Sequence, residues 1–208
     1  VESYAILRRT GALGLDEFLP RPDYVHDPIR WLHDRLGESV WTGQVAVAES
    51  VRDNRYTAVR SGHDLGKSYI ASRLGAWWLD AHPPGEAFLV TTAPSAAQVS
   101  AILWREITRA ATAAHKRGRP LRGKITRAGY PQWHIDGELV GYGRKPADYE
   151  QSAFQGIHAL YVMIILDEAG GIPRSLYDAV DALATNVHAR VLAIGNPDDA
   201  SNHFATVC

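Results

Sequence analysis

The sequence predicts an α/β fold with a mostly parallel central sheet flanked by helices, and three observations carry that prediction. Short apolar runs at Tyr56–Val59, Ala87–Thr92 and Leu160–Leu166 alternate with segments whose apolar residues recur at helical spacing. A glycine-containing turn, Arg60-Ser61-Gly62-His63-Asp64-Leu65-Gly66-Lys67-Ser68, leaves the first run and opens a helix. The run ending at Leu166 is unbroken, as expected of a strand buried on both faces of a parallel sheet, and it stops at two adjacent carboxylates, Asp167 and Glu168.

Composition agrees. With 208 residues, 46% of them hydrophobic, the chain can bury a full core and suits one large domain better than two small ones. A formal net charge of −1 shows no global basic bias, so any nucleic-acid contact must be local or depend on other chains. The single cysteine, Cys208, is the final residue; no internal disulfide is possible, and a reducing compartment is the simplest expectation. No apolar run approaches membrane-spanning length, and no secretory signal opens the chain. Beginning at Val1 and stopping just after a strand-like run, the sequence reads as an excised piece.

The elements follow in order. Residues 1–26 carry several prolines and charges and read as an N-terminal arm; residues 27–208 form the domain proper. Asp27-Pro28 makes a good start for a helix over Ile29–Leu36, since proline at the first helical position has its φ preset and gives up only an N–H without an intrahelical partner. Gln44–Val51 is a second helical segment. The strand Tyr56–Val59 then leads through the turn into a helix from about Lys67 to Leu79, on which Trp77 and Trp78 read as core and interface filler. Ala87–Thr92 is a second buried strand, and Val99, Ile102, Leu103 and Ile107 mark the next helix. A hairpin is expected at Ile135-Asp136-Gly137-Glu138, and Ile194-Gly195-Asn196-Pro197 closes a further apolar run, placing a polar residue at a strand's carboxyl end.

The turn at Arg60–Ser68 has the chemistry of a phosphate-binding loop. Its backbone N–H groups, from Ser61, Gly62, His63, Asp64, Leu65 and Gly66, would face a β-phosphate; Lys67 would reach the β/γ oxygens, and Ser68 would ligand Mg²⁺. Two residues depart from the pattern: Ser61 stands where a first glycine is expected, and Asp64 places a carboxylate that would repel phosphates unless it points outward. An ordinary strand-to-helix turn is the alternative. At the second motif, Asp167 would hold the metal opposite Ser68 while Glu168 polarises an attacking water, a division suggested by the alternation of side chains along a strand. Its alternative is a core strand ending in a solvated acidic turn.

Between about Arg117 and Lys145 the composition shifts to glycine, arginine and lysine. Lys116, Arg117, Arg119, Arg122, Lys124, Arg127, Arg144 and Lys145 lie among Tyr130, Trp133 and Tyr142, a mixture suited to nucleic-acid backbones or to a solvated loop with a structural tryptophan. Nine histidines are scattered without metal-ligand spacing.

Taken together, Gln44, the Arg60–Ser68 loop, Thr91-Thr92-Ala93-Pro94 with Gln98 and Trp104-Arg105-Glu106 beyond it, Leu166-Asp167-Glu168-Ala169 and Gly195-Asn196-Pro197 resemble the large terminase subunits of tailed bacteriophages, the motors that pump DNA into empty capsids. The resemblance runs from about Trp31 to Asn202. It implies a RecA-like ATPase with an additional catalytic glutamate, using ATP and Mg²⁺. In it Gln44 looks like the adenine-reading glutamine, Arg60 like a loop arginine near the γ-phosphate, and Asn196 like the element that senses hydrolysis. It further implies double-stranded DNA, a portal protein and a small terminase subunit as partners, a homo-oligomeric ring on the procapsid formed from chains that are monomeric as isolated domains, and the cytoplasm of an infected bacterium, with no membrane contact. Relatives continue into a nuclease domain, and nothing here follows residue 208, so the piece resembles the ATPase half alone. Many place an arginine before the glycine upstream of the acidic strand, where this chain has Gln155-Gly156; Arg144 is the nearest basic candidate to act on a neighbouring subunit. Two other readings stand beside this one: the first half of a nucleic-acid helicase, and a nucleotide-dependent interaction module without turnover, which Ser61 and Asp64 would suit.

Overall fold

The computed structural model describes residues 23–62, 64–145, 157, 159–196 and 202–207. The predicted arm over 1–26 therefore lies almost wholly outside the described residues, as do His63, Gln155, Gly156, Pro197 and Cys208.

Seven strands form one sheet: β1 (Tyr56–Arg60), β2 (Ala87–Thr92), β3 (Lys124–Thr126), β4 (Gln132–Ile135), β5 (Glu138–Arg144), β6 (Tyr161–Asp167) and β7 (Arg190–Gly195), in the order β1-β7-β6-β2-β5-β4-β3. The first five in that order run parallel, and β5-β4-β3 are antiparallel. The mostly parallel, helix-flanked sheet expected from the sequence is thus present, with an antiparallel edge added.

The helices are α1 (Pro28–Trp31), prolonged by a π-helical turn Leu32–Leu36; α2 (Thr42–Asp53); α3 (Lys67–Ala81); α4 (Trp104–Lys116); α5 (Arg174–Leu183); and α6 (His203–Val207). Asp27 starts α1 by accepting the Arg30 N–H at 2.9 Å, with Pro28 at the first helical position. A capping box at Ser95 and Gln98 begins the short turn Ala96–Gln98, and the chain then passes through a π-helical segment, Val99–Leu103, into α4.

Strand alternation sorts the core onto two faces. Leu89, Met163, Ile165 and Leu192 pack under α3 with Leu74, Trp104 and Ile107, whereas Val90, Ile164, Leu166 and Val191 pack with Leu176, Tyr177 and Val180 of α5. Helix α3 is buried continuously from Ile70 to Asp80 because α1, α2 and α4 cover what the sheet does not. Trp77 and Trp78 are core residues, as predicted, and their indole N–H groups donate to the carbonyls of Tyr24 and Tyr161. The acid buried at the far end of α3, Asp80, accepts from Trp31 Nε1 and Arg35 Nε, so α1 is fastened to α3 by a charge-assisted pair.

The basic segment is part of the sheet. Asp136 and Gly137 both have positive φ, 52° and 85°, as a type I′ hairpin turn requires, and the predicted hairpin pairs Ile135 with Glu138. Trp133 is buried and donates to the Arg122 carbonyl. Several of the arginines satisfy backbone carbonyls: Arg122 donates to Leu79, Asp80 and His82 at the carboxyl end of α3, Arg119 to Asp34, and Arg127 to Ser100. Carbonyls at a helix terminus lack intrahelical partners, and a nearby cation both bonds them and opposes the helix dipole.

The backbone of β5 passes close under α4. A Cβ at Gly143 would collide with Trp104 Nε1 and lie 2.6 Å from Val99 Cγ1, and Trp104 Nε1 is itself held by Thr91 Oγ1. Gly143→Ala is expected to destabilise the protein by about 1–3 kcal/mol through overpacking, read as a lowered unfolding midpoint; an unchanged midpoint would show that this contact yields freely.

Candidate nucleotide-binding site

The predicted site residues converge at the carboxyl ends of β1, β7 and β6, the side of a parallel sheet where such folds bind ligands. Residues 61–66 join β1 to α3, and the Ser61 N–H donates to Gly195 at the end of β7, tying the loop to the neighbouring strand. Gly66 has φ 78° as the N-cap of α3, a left-handed conformation that glycine adopts without a Cβ penalty. Space selects glycine too. A Cβ there would lie 2.6 Å from Gln44 Nε2, which donates to the Gly66 carbonyl at 3.3 Å and so braces the loop from α2.

Lys67 Nζ donates to the carbonyls of Ser61 at 2.9 Å and Gly62 at 2.6 Å and to Asn196 Oδ1 at 2.6 Å. An ammonium has three donors, so its hydrogen-bonding capacity is matched by these three oxygens. Asn196 is buried at the end of β7, the strand between β1 and β6. Asp64 is exposed with φ 58°, and Leu65 beside it is also exposed. Arg60 ends β1 as an exposed side chain.

Ser68 Oγ donates to the Asp167 carboxylate, 3.2 and 3.3 Å from its two oxygens, and the Glu168 N–H donates to the same group at 3.0 Å. Asp167 is buried, and burial, reinforced by the Glu168 charge, pushes its carboxyl up to about 6 against the opposing pull of these hydrogen bonds and of Lys67. Glu168 lies beyond the strand with φ 50° and ψ 49°. Strand alternation therefore does not set its direction; a left-handed kink does, a conformation uncommon for a non-glycine residue and sustained only where the surrounding structure over-determines it.

Oxygen donors alone, a hydroxyl and a carboxylate, suit a hard cation that completes its shell with water and phosphate. Among the described residues no group of three His, Cys, Asp or Glu side chains is placed to hold a metal by itself. Trp41, which the sequence reading passed over, is 55% exposed at the start of α2, three residues before Gln44, with its indole folded over Gly43. Its signal in the sequence is an aromatic residue three positions upstream of the glutamine.

Solved structures of known proteins share this architecture. An ATPase domain of the Thermus phage P74-26 large terminase superposes with a TM-score of 0.65 at 22% identity, over 86% of this chain and 73% of that one. This is the fold of phage large terminase ATPase domains. The large terminase of a thermophilic bacteriophage, in complex with ADP, gives a TM-score of 0.53 at 16% identity, over 86% of this chain and 39% of that terminase. The UvsW helicase from bacteriophage T4 shares the terminase-like architecture more distantly, with a TM-score of 0.56 at 13% identity over 87% of this chain and 63% of the helicase. The sequence matches no protein-family model and no curated protein.

Proposed function

We propose that the chain is a Mg²⁺-dependent ATPase whose turnover drives double-stranded DNA into a viral procapsid. The observation that carries this reading is the convergence of Lys67 with Asn196 and of Ser68 with Asp167 at the carboxyl edge of a terminase-like fold. Lys67 binds the β/γ oxygens of ATP, the loop from Ser61 to Gly66 turns its N–H groups to the phosphates, and Gln44 and Trp41 border the base. Arg60 adds charge near the γ-phosphate. Ser68 and Asp167 would hold the cation, which would supply charge neutralisation to the phosphates. Glu168 orients the attacking water, and Asn196 registers the state of the γ-phosphate through Lys67. The thermophilic-phage terminase solved with ADP supports nucleotide as the ligand. As partners we assign double-stranded DNA, a portal protein, a small terminase subunit and further copies of this chain in a ring, with the host cytoplasm as the setting; among the described residues no helix is long and apolar enough to cross a membrane.

Similarity to the UvsW helicase supports a second reading, translocation along nucleic acid with strand separation. A strand-displacement assay separates the two, and absence of any turnover would leave a nucleotide-dependent interaction module.

The direct test is phosphate release from ATP as a function of Mg²⁺ and pH. Asp167 ligates as the carboxylate, and its raised pKa of about 6 keeps the proton on to higher pH than usual. The Mg²⁺-dependent share of ATP affinity is therefore expected to fall as pH drops from about 8 through about 6, and the midpoint to move to lower pH in Glu168→Gln, where the like charge is gone. Calorimetric titrations with and without Mg²⁺ measure that share; a constant value over this range would remove Asp167 from the metal.

A further inference from the structure

Two buried polar atoms lie side by side at the carboxyl edge of the sheet, outside the site above. Thr92 ends β2 and Arg144 ends β5, and they are register partners on adjacent parallel strands, so both side chains project from the same face. That face is the one opposite α3 and α4. The preceding pair, Thr91 and Gly143, faces Trp104, whereas Tyr142, two residues before Arg144, packs in the cluster with α5.

Thr92 Oγ1 and Arg144 Nε are each buried without a hydrogen-bond partner. Thr92 is only 2% exposed. Among the described residues the Arg144 guanidinium forms no hydrogen bond or ion pair and instead rests against two tyrosine rings, 5.2 Å from the Tyr130 centroid and 5.0 Å from that of Tyr142. Arginine stays charged at any relevant pH, so burying part of it without an anion is unfavourable, and the ring faces offset only some of that cost. The Gly143 N–H, bonded to the Pro131 carbonyl, fixes the turn that carries Tyr130, which is 43% exposed.

From this we infer that Arg144 forms a subsite for a backbone phosphate of a nucleic-acid strand, with Tyr130 as the face against which the adjoining sugar or base packs and Thr92 buried beneath the guanidinium. The inference rests on the DNA-motor reading above and adds to it the place where the strand is gripped. The terminal nitrogens of a guanidinium match a phosphate oxyanion, and the exposed aromatic ring beside them favours a phosphodiester with a neighbouring nucleoside over a bare anion.

The experiment measures binding of a fluorescent duplex of about 20 base pairs by anisotropy across a salt series, without nucleotide, while calorimetry follows ATP binding in parallel. Arg144→Ala should weaken duplex binding by about three- to tenfold and lower the slope of log affinity against log salt by about one. Arg144→Lys should keep the slope and lose part of the affinity, and Tyr130→Ala should lose affinity at unchanged slope. Excess inorganic phosphate should compete only through its ionic strength. Duplex affinity and slope unaffected by Arg144→Ala, in a variant that melts as wild type and binds ATP, would overturn the subsite and leave the ATPase standing. Inorganic phosphate competing beyond its ionic strength would make this a small-anion site and overturn the proposal, as would an Arg144→Ala defect confined to turnover, which would assign Arg144 to a neighbouring subunit's ATP. Loss of ATP binding in the wild type would instead defeat the underlying reading.

Discussion

Lys67→Ala is expected to reduce ATP affinity by more than about a hundredfold, to the point where titration calorimetry detects no heat of binding. Among the described residues its side chain is the cation that the fold brings into the loop itself, within 2.9 Å of the carbonyls of Ser61 and Gly62, and phosphate binding in such loops depends on it as a point charge. The substitution also takes a donor away from three acceptors, Asn196 Oδ1 among them. Each is a neutral oxygen, so the attendant loss of stability should be about 1–3 kcal/mol and leave a folded protein at room temperature. Thermal unfolding run beside the calorimetry separates the two effects. Unchanged affinity in a folded variant would mean that the loop does not bind phosphate.

Glu168→Gln should leave Mg·ATP affinity within a few-fold of wild type and cut turnover by about a hundredfold or more, because the amide keeps the shape and hydrogen-bonding reach of the carboxylate without its ability to polarise water. Asp167→Asn should do the reverse in binding, weakening the metal-dependent share, since Asp167 faces Ser68. The contrast is what tests the division of labour. Two variants with the same profile in binding and rate would show that the carboxylates act as one unit.

Much of this arrangement was legible in the sequence because it rests on local rules. The buried strand β6, the strand-to-helix loop, the Asp-Gly hairpin and the proline-started first helix all follow from period, turn chemistry and capping. Other features depend on tertiary neighbours. Nothing in the residues around Glu168 announces a left-handed backbone, because that conformation is imposed where β6 gives way to the 3₁₀ turn Ala169–Gly171. The destination of Arg119 and Arg122 was equally hidden: arginines among glycines suit a phosphate backbone or a helix terminus, and only the fold shows that these two meet carbonyls at Asp34 and the end of α3. Helix α5 had its own signal, Leu176, Tyr177 and Val180 on one face after Pro173, which the strand motif beside it overshadowed. The three-residue strand β3 is too short to show a period at all.

The contact between Lys67 and Asn196 joins two pieces of chain 129 residues apart in sequence. An ammonium with three oxygens already around it cannot take a fourth partner without letting one go, so a phosphate arriving at Lys67 and the tip of β7 compete for the same protons. Linkage makes such competition symmetrical: whatever factor the nucleotide takes from the Lys67–Asn196 contact, any pull that strengthens that contact takes from the nucleotide. On the ATPase reading proposed above, tension applied to the chain that continues from β7 would then be read at the Arg60–Ser68 loop as a change in ATP affinity, with the tip of one strand as the gauge.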